Sequence, residues 1–214
     1  MTIKILVVED QTIVRNGLKM IIEQDNRYEI VGVASNGLEA LQIVRNLHVD
    51  LVLMDIRMPE MNGIEATKKI KAQFPDMKII ILTTFDDDAY AYETLKDGAN
   101  GFLLKSSEPT KLLSSIQSVM DGGLVLQEDV AAKLMSKLLK QTVSSNTPTQ
   151  NIPLTERELK IVKLIGEGKT NKEIANCLFL SVGTVKNHIT HILQELDLRD
   201  RTQLAIYAVK KGIV

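Results

Sequence analysis

The sequence is poor in cysteine and in long apolar runs. Cys177 is its single cysteine, which excludes an internal disulfide and any cysteine-based metal cluster. No apolar segment approaches the ~18 uninterrupted residues of a membrane span. Residues 1–5 enter a predicted strand at once and do not form a signal peptide. These absences predict a cytoplasmic protein with no membrane contact.

The chain also has little net charge, but its charges are unevenly spread. The formal net charge is −1. Acidic residues outnumber basic ones over residues 1–150, and basic residues outnumber acidic ones over 151–214. Residues 141–151, near this change, form a polar, proline-containing stretch without apolar periodicity, which is typical of a linker. Two modules with different partners are therefore predicted.

The first module alternates strand and helix patterns five times. Short apolar runs predict strands at 3–8, 30–34, 50–55, 78–83 and 100–104, and helical periodicity follows each one, with two of these helices placed at 87–97 and 109–121. Strict alternation of this kind predicts a parallel sheet covered by helices on both faces.

Polar residues follow four of these strands where each strand ends. Strand one ends in Glu9-Asp10, strand three in Asp55, strand four in Thr83 and strand five at Lys105. Carboxyl ends of parallel strands share one edge of the sheet, where ligands of open α/β folds bind. Taken singly, such residues are ordinary turn formers, strand residues or solvated charges. Their combination predicts that Asp55 accepts a phosphoryl group.

The chemistry of this set predicts a metal ion. Three converging carboxylates repel one another, and a hard divalent cation such as Mg²⁺ removes that repulsion. Mg²⁺ and Lys105 would then neutralise the equatorial phosphoryl oxygens, and the Thr83 hydroxyl would donate a hydrogen bond to them.

Two residue types missing near the strand ends argue against enzymes. Aspartyl-phosphate phosphatases commonly need a second acid two residues after the nucleophile, and here that residue is Arg57. A nucleotide-binding oxidoreductase needs a glycine-rich turn after strand one, and residues 8–12 contain no glycine. A regulator that works without phosphorylation is a third alternative, but the intact acidic set gives it no support. The chain is thus not predicted to be an enzyme.

Residues 1–122 resemble a response-regulator receiver domain. The resemblance rests on the segments Val7-Val8-Glu9-Asp10, Leu53-Met54-Asp55-Ile56-Arg57-Met58-Pro59, Asn62-Gly63, Leu82-Thr83-Thr84 and Gly101-Phe102-Leu103-Leu104-Lys105. It implies a flavodoxin-like (βα)5 fold with strand order 2-1-3-4-5. It also implies that Mg²⁺ is held by Glu9, Asp10, Asp55 and the backbone carbonyl of Arg57, that a histidine kinase phosphorylates Asp55, and that Thr83 and Phe102 form a switch pair.

After residue 122 the strand pattern stops. A linker is predicted over 123–151, with an amphipathic helix at about 127–140. Residues 152–214 then predict four helices and no strand. Thr155 and Thr170 each begin a capping-box pattern, Ser181 caps a longer helix, and the short turn before that helix resembles a helix-turn-helix.

The longer helix separates an apolar face from a face suited to DNA. Val185, Ile189 and Ile192 are predicted to point inward, and no acid precedes Glu195 on the polar side. An ordinary amphipathic surface helix is the alternative. His188 and His191, three residues apart, could face one metal, but phosphate or packing contacts are favoured because no third ligand lies nearby.

Residues 152–214 resemble a LuxR-type DNA-binding domain, so the whole chain is similar to the NarL/FixJ response regulators. The matching segments are Leu154-Thr155-Glu156-Arg157-Glu158, Thr170-Asn171-Lys172-Glu173-Ile174-Ala175 and residues 181–189. The resemblance implies base contacts from Lys186, Asn187 and Thr190, although many relatives have a basic residue at the position of Thr190. It implies phosphate contacts from Lys172 and Thr184, and pairing of two domains through the helix Arg201–Lys211.

The sequence therefore predicts a two-component transcription regulator. Its expected partners are a sensor histidine kinase, double-stranded promoter DNA, a second copy of the phosphorylated chain and RNA polymerase. Half-sites would lie about 10 bp apart. Two receiver faces are candidates for dimerisation: the first helix with the last receiver helix, or helix 87–97 with strand five.

Overall fold

The computed structural model of the chain describes residues 2–84, 93–126 and 153–214. The first two ranges form an α/β domain around one parallel sheet, in the order β2-β1-β3-β4-β5-β6. The strands are β1 Ile3–Val8, β2 Tyr28–Ala34, β3 Leu51–Asp55, β4 Lys78–Thr83, β5 Gly101–Leu104 and β6 Val125–Leu126. The predicted order 2-1-3-4-5 is confirmed for the first five strands.

Helices cover both faces of this sheet. They are α1 Thr12–Ile22, α2 Gly37–Asn46, α3 Gly63–Gln73 and α4 Pro109–Met120, and residues 93–96 are also helical. Alternate side chains of a strand point to opposite faces. Accordingly, Leu6 and Val8 join one buried cluster with α2 and α3, whereas Ile5 and Val7 join a second cluster with α1 and α4. Burial on both faces explains the nearly continuous apolar runs of these strands.

Two strands differ from the sequence predictions by more than one residue. Strand β2 begins at Tyr28, two residues earlier than predicted, and β6 extends the sheet into residues assigned to the linker. The predicted helix 87–97 is described only from residue 93. The predicted linker helix at 127–140 lies outside the described residues.

The second domain consists of four helices, as predicted. They are α5 Glu156–Gly166, α6 Asn171–Leu178, α7 Val182–Glu195 and α8 Arg201–Lys210. The two capping boxes are confirmed, because Thr155 and Thr170 each exchange hydrogen bonds with the glutamate three residues later. The Ser181 hydroxyl accepts the Thr184 amide at 3.0 Å and begins α7. None of the helices in the described part of the chain combines the length and apolar character that a bilayer crossing requires.

The two domains are in contact through the start of α6 and the start of α8. The buried Thr202 hydroxyl donates to the Ala99 carbonyl at 2.9 Å, and the Asn171 amide donates to the Asp121 carbonyl at 3.1 Å. The side chains of Arg199 and Gln203 donate to the Lys96 carbonyl at 3.2 and 3.5 Å. We call this the closed arrangement.

Candidate functional site

Three carboxylates meet at the carboxyl edge of the sheet. Glu9 and Asp10 follow β1, and Asp55 is the last residue of the neighbouring β3. One carboxylate oxygen from each of the three lies within 4.8 Å of the others. Glu9 and Asp55 are buried, whereas Asp10 is exposed, so the cluster is open to solvent on one side. The predicted convergence of Glu9, Asp10 and Asp55 is therefore present.

Lys105 joins two of these carboxylates. Its ammonium nitrogen lies 2.8 Å from Glu9 Oε2 and 2.9 Å from Asp55 Oδ1. Burial raises the pKa of Glu9 and Asp55, and the hydrogen bonds from Lys105 partly offset that rise. Burial works against the Lys105 ammonium, but its bonds to Glu9 and Asp55 outweigh burial and raise its pKa. The lysine therefore stays charged and keeps both acids close together.

A tight loop after β3 fixes the position of Asp55. The Ile56 amide donates to Asp55 Oδ1 at 2.8 Å, and the Gly63 amide donates to the Ile56 carbonyl at 2.9 Å. Asn62 caps α3 by accepting the Glu65 amide at 2.9 Å. A Cβ atom on Gly63 would lie 1.9 Å from the Asp55 carbonyl oxygen, so only glycine permits this approach of helix α3 to the acid.

The remaining predicted receiver residues are Thr83, Phe102 and Arg57. Thr83 is fully buried at the end of β4, and its hydroxyl donates to the Thr84 carbonyl at 3.1 Å. The Phe102 ring is fully buried in the cluster beneath α2 and α3. Arg57 is exposed in the loop after Asp55. A coupled movement of Thr83 and Phe102 stays a prediction.

Helix α7 presents the predicted polar face. Val185, Ile189 and Ile192 are buried in the core of the second domain, as the periodicity indicated. Lys186, Asn187 and Thr190 are exposed on the same helix, and so is Lys172 on α6. Thr184 is half-buried and shares a hydrogen bond of 2.8 Å with the Ser181 hydroxyl. The contacts of these five residues with DNA stay predictions.

Of the two histidines on α7, His188 and His191, the second has a structural role. His191 Nδ1 lies 2.9 Å from Glu158 Oε1, and its Nε2 lies 3.7 Å from Glu195. Glu158 is the glutamate of the first capping box, so His191 joins α7 to the start of α5. In the part of the chain that the structure describes, the only cluster able to hold a metal is the one around Asp55.

Sequence reasoning missed the residues that join the two domains. Thr202 and Ala99 are 103 positions apart, and neither belongs to a recognisable motif. Asn171 belongs in the sequence to the second capping-box segment, yet its backbone amide contacts the receiver. No signal in a single sequence identifies such contacts, because they depend on how two separately folded domains pack.

The acidic cluster fits the predicted magnesium ion. Mg²⁺ prefers oxygen ligands and keeps several waters, so a few carboxylates beside an open face suit it. Glu9, Asp10 and Asp55 supply three such ligands, and Asp10 lies on the solvent side. Lys105, between Glu9 and Asp55, already places one positive charge beside these acids.

Comparisons with known proteins agree with both halves of the chain. The family described as response regulator receiver domain matches residues 5–117, and the family described as bacterial regulatory proteins, luxR family, matches residues 152–208. The transcriptional regulatory proteins LnrK and LiaR of Bacillus subtilis (strain 168) are similar over 99% of this chain.

LnrK and LiaR are 41% and 42% identical to this chain, over 98% and 99% of their own lengths. A crystal structure of a LuxR-family two-component response regulator from Aurantimonas sp. SI85-9A1 has 32% identity and a TM-score of 0.61, covering 65% of this chain and 99% of that one. The chain therefore belongs to the NarL/FixJ response regulators, as a two-component transcription regulator in which a receiver domain precedes a LuxR-type helix-turn-helix DNA-binding domain.

Proposed function

We propose that Mg²⁺-dependent phosphorylation of Asp55 by a sensor histidine kinase controls dimerisation and promoter binding by this regulator. One observation supports this proposal above all. The Lys105 ammonium lies within 3 Å of both Glu9 and Asp55, beside the third carboxylate, Asp10. The protein acts on itself and has no separate substrate, so it is not an enzyme in the usual sense. Its place of action is the cytoplasm, where a kinase and promoter DNA are both accessible.

The phosphoryl transfer follows from the positions of these groups. A carboxylate oxygen of Asp55 attacks the phosphorus of a phosphohistidine, the P–N bond breaks, and the histidine nitrogen leaves with the pair of electrons. Lys105 balances charge on the phosphoryl oxygens, and the Thr83 hydroxyl is positioned to turn toward them. Mg²⁺, held by Glu9, Asp10, Asp55 and the Arg57 carbonyl, would supply further charge neutralisation. Phe102 would follow the movement of Thr83.

Helix α7 is proposed to read the promoter. Lys186, Asn187 and Thr190 would face base edges in the major groove, and Lys172 and Thr184 would contact phosphates. Their exposure, over a face whose opposite side is buried, supports this assignment. LnrK and LiaR are each named as transcriptional regulatory proteins, which agrees with it.

The closed arrangement is proposed to be inhibitory. Lys186 and Thr190 of α7 line a cavity whose other wall includes Lys71 and Lys78 of the receiver. The major groove that must receive α7 is about 12 Å wide, and the whole duplex is wider still. A DNA duplex therefore cannot enter this cavity of about 280 Å³. Helix α8, predicted to pair two domains, is also attached to the receiver through Thr202. Activation therefore requires that the domains separate, which phosphorylation achieves by shifting an existing equilibrium.

Dimerisation would then raise affinity for two half-sites. Each DNA-binding domain alone makes a small interface, and joining two of them makes the second contact intramolecular. RNA polymerase is a further expected partner at the promoter.

Labelling with a small phosphoryl donor tests the central claim. Acetyl phosphate with Mg²⁺ should add one phosphoryl group to the wild-type chain, and Asp55→Ala should abolish that gain in intact-protein mass. Asp25→Asn is the matched control, since Asp25 pairs with Arg27 before β2, at the opposite edge of the sheet. Equal labelling of Asp55→Ala and wild type would refute the assignment.

A further inference from the structure

The cavity between the two domains is strongly basic. It has a volume of about 280 Å³ and lies between α3 and β4 of the receiver and α7 and the start of α8. Two acidic residues, Asp76 and Asp200, share its lining with five basic ones: Lys71, Lys78, Lys186, Arg199 and Arg201. The excess of positive charge is costly in a cleft between two domains, because charges removed from water need opposite charges nearby.

The receiver lysines in this cavity have no acidic oxygen of a described residue within 4 Å, although the charges of Asp76 and Asp200 partly offset the effect of burial on the pKa of both lysines. Lys71 Nζ donates only to neutral oxygens, the Asn100 side chain at 3.2 Å and the Pro75 carbonyl at 3.3 Å. Burial lowers its pKa to about 8. Burial also lowers the pKa of Lys78; the charges of Asp76 and Asp200 partly offset this, whereas those of Arg201 and Lys186 add to it. Within residues 2–84, 93–126 and 153–214, neither lysine forms an ion pair.

Arg201 contributes a buried donor without a partner. Its Nη1 donates to the Asn171 side chain at 2.8 Å, and its Nη2 donates to the Lys169 carbonyl. Its Nε is buried and has no hydrogen-bond partner among the described residues. The adjacent Asp200 does not satisfy it: Asp200 Oδ1 caps α8 by accepting the Gln203 amide at 2.9 Å, and Asp200 Oδ2 lies beside Gly98. A buried N–H group without an acceptor is rare in folded proteins.

We propose that this interdomain cavity binds a small oxyanion of the phosphate class, held by Lys71 and Lys78 of the receiver and by Lys186 and Arg201 of the DNA-binding domain. Several oxygens on one small anion can accept from three ammonium groups and a guanidinium together, and a double negative charge offsets most of the basic excess. The volume accommodates inorganic phosphate or the phosphate group of a small organic ester.

The anion would stabilise the closed arrangement. Its ligands come from both domains, so it binds fully only when the domains are together and favours that state by linkage. If the proposed function holds, phosphate then opposes DNA binding by the unphosphorylated regulator. The site itself does not depend on that function, and its test uses neither DNA nor a phosphoryl donor.

The test is a titration of the full-length, unphosphorylated protein with inorganic phosphate, without Mg²⁺ and at constant ionic strength set by sodium chloride. The side-chain amide NMR signals of Asn100 and Asn171, one from each domain, should shift along one saturable curve. Lys71→Met and Lys78→Met should each weaken binding about tenfold, the effect of losing one charged hydrogen bond. Lys68→Met is the matched control, because Lys68 is exposed on the same helix as Lys71.

Three results would overturn the proposal. The NMR shifts could be confined to one domain, or Lys68→Met could weaken phosphate binding as much as Lys71→Met does. The shifts could also fail to saturate below the concentrations at which sulfate and chloride produce the same shifts. Lys78→Arg guards against a packing artefact, since it should retain binding if charge is what matters. A parallel titration with glycerol 2-phosphate identifies the source, because tighter binding of the ester indicates an organic phosphate and tighter binding of inorganic phosphate indicates the free ion.

Discussion

At the scale of single residues, Lys105 stabilises the acidic site in its resting state. The buried carboxylates of Glu9 and Asp55 have oxygens within 4.8 Å of each other, and each would lower the stability of the fold if left unpaired. Lys105 contacts both, at 2.8 Å from Glu9 and 2.9 Å from Asp55. In the proposed reaction the same ammonium would be available to the incoming phosphoryl group, so one residue would serve both the resting site and the reaction.

Lys105→Met should therefore destabilise the receiver. In Mg²⁺-free buffer we expect a loss of about 3 kcal/mol in the free energy of unfolding, measured by urea denaturation, because two buried acids lose their cation. Adding Asp55→Asn should restore part of the loss, since one of the acids becomes neutral. Lys111→Met, at an exposed lysine of α4, serves as the control. A Lys105→Met protein as stable as wild type would contradict this account.

The receiver site could be predicted from the sequence because each of its residues follows a strand. The strand fixes where the residue lies, and neighbouring parallel strands bring their ends together, so Glu9, Asp55 and Lys105 meet as expected. The partner of His191 could not be predicted, because Glu158 lies 33 positions away on another helix. Periodicity indicates which face of a helix is buried but not which side chain it meets.

At the scale of secondary-structure elements, the second domain depends on its helix caps. Glu158 accepts the Thr155 amide and hydroxyl at 2.9 and 2.7 Å and also contacts His191. The Thr155 amide and hydroxyl, followed by His191, hold the pKa of Glu158 below its ordinary value. One carboxylate thus begins α5 and attaches α7 to it.

Glu158→Gln should reveal this role through pH. A carboxyl with a lowered pKa contributes stability above its ordinary pKa of about 4.5, and that contribution is lost as the pH falls through the value in the folded state. The variant should be about 1 kcal/mol less stable than wild type at pH 7, and the difference should shrink in acid. Urea unfolding followed by the NMR signals of α5 measures it. Glu156→Gln, in the same first turn but outside the capping box, should show no such dependence.

A second element-level prediction concerns α7. Lys186→Ala should weaken promoter binding about fivefold or more, the cost of one lost base or phosphate contact, while leaving phosphorylation of Asp55 unchanged. Asn187→Ala should act similarly, although Asn187 is not among the residues that line the interdomain cavity. Electrophoretic mobility shifts at fixed salt measure both, with Lys163→Ala, exposed on α5, as the control. Wild-type affinity in Lys186→Ala would remove this residue from the interface.

Strand β6 shows why element prediction failed locally. Val125 and Leu126 are only two residues, too few to produce a period-two pattern, and they follow the Gly122-Gly123 pair that ends α4. Their strand exists because the edge of β5 offers unpaired backbone groups, with Gly101 and Phe102 as partners. Such a strand is decided by its neighbour and not by its own sequence.

At the scale of the whole molecule, few hydrogen bonds between described residues hold the closed arrangement, so the proposed balance with an open arrangement should be easy to shift. Thr202 is buried, and its hydroxyl donates a buried hydrogen bond to the Ala99 carbonyl of the receiver. A buried carbonyl that loses its donor is costly. Small changes at this position should therefore shift the whole equilibrium.

Thr202→Val should favour the open arrangement. The substitution keeps the shape but leaves the Ala99 carbonyl unpaired, at a cost of about 1–2 kcal/mol to the closed state. DNA affinity of the unphosphorylated protein should rise about five- to thirtyfold, as measured by fluorescence anisotropy. Thr202→Ser retains the hydroxyl and should behave like wild type. Unchanged affinity in Thr202→Val would mean that this contact does not restrain the domain.

The receiver side of the closed interface has an evolutionary consequence. The hydrogen bonds described above end on main-chain carbonyls of Lys96, Ala99 and Asp121, whereas side-chain donors come from Arg199, Thr202 and Gln203 of the second domain. Side-chain substitutions in a receiver cannot delete a main-chain acceptor. After gene duplication, a copy could therefore acquire a new kinase partner through receiver mutations while inheriting these hydrogen bonds intact. The strength of these bonds would drift mainly through the DNA-binding domain.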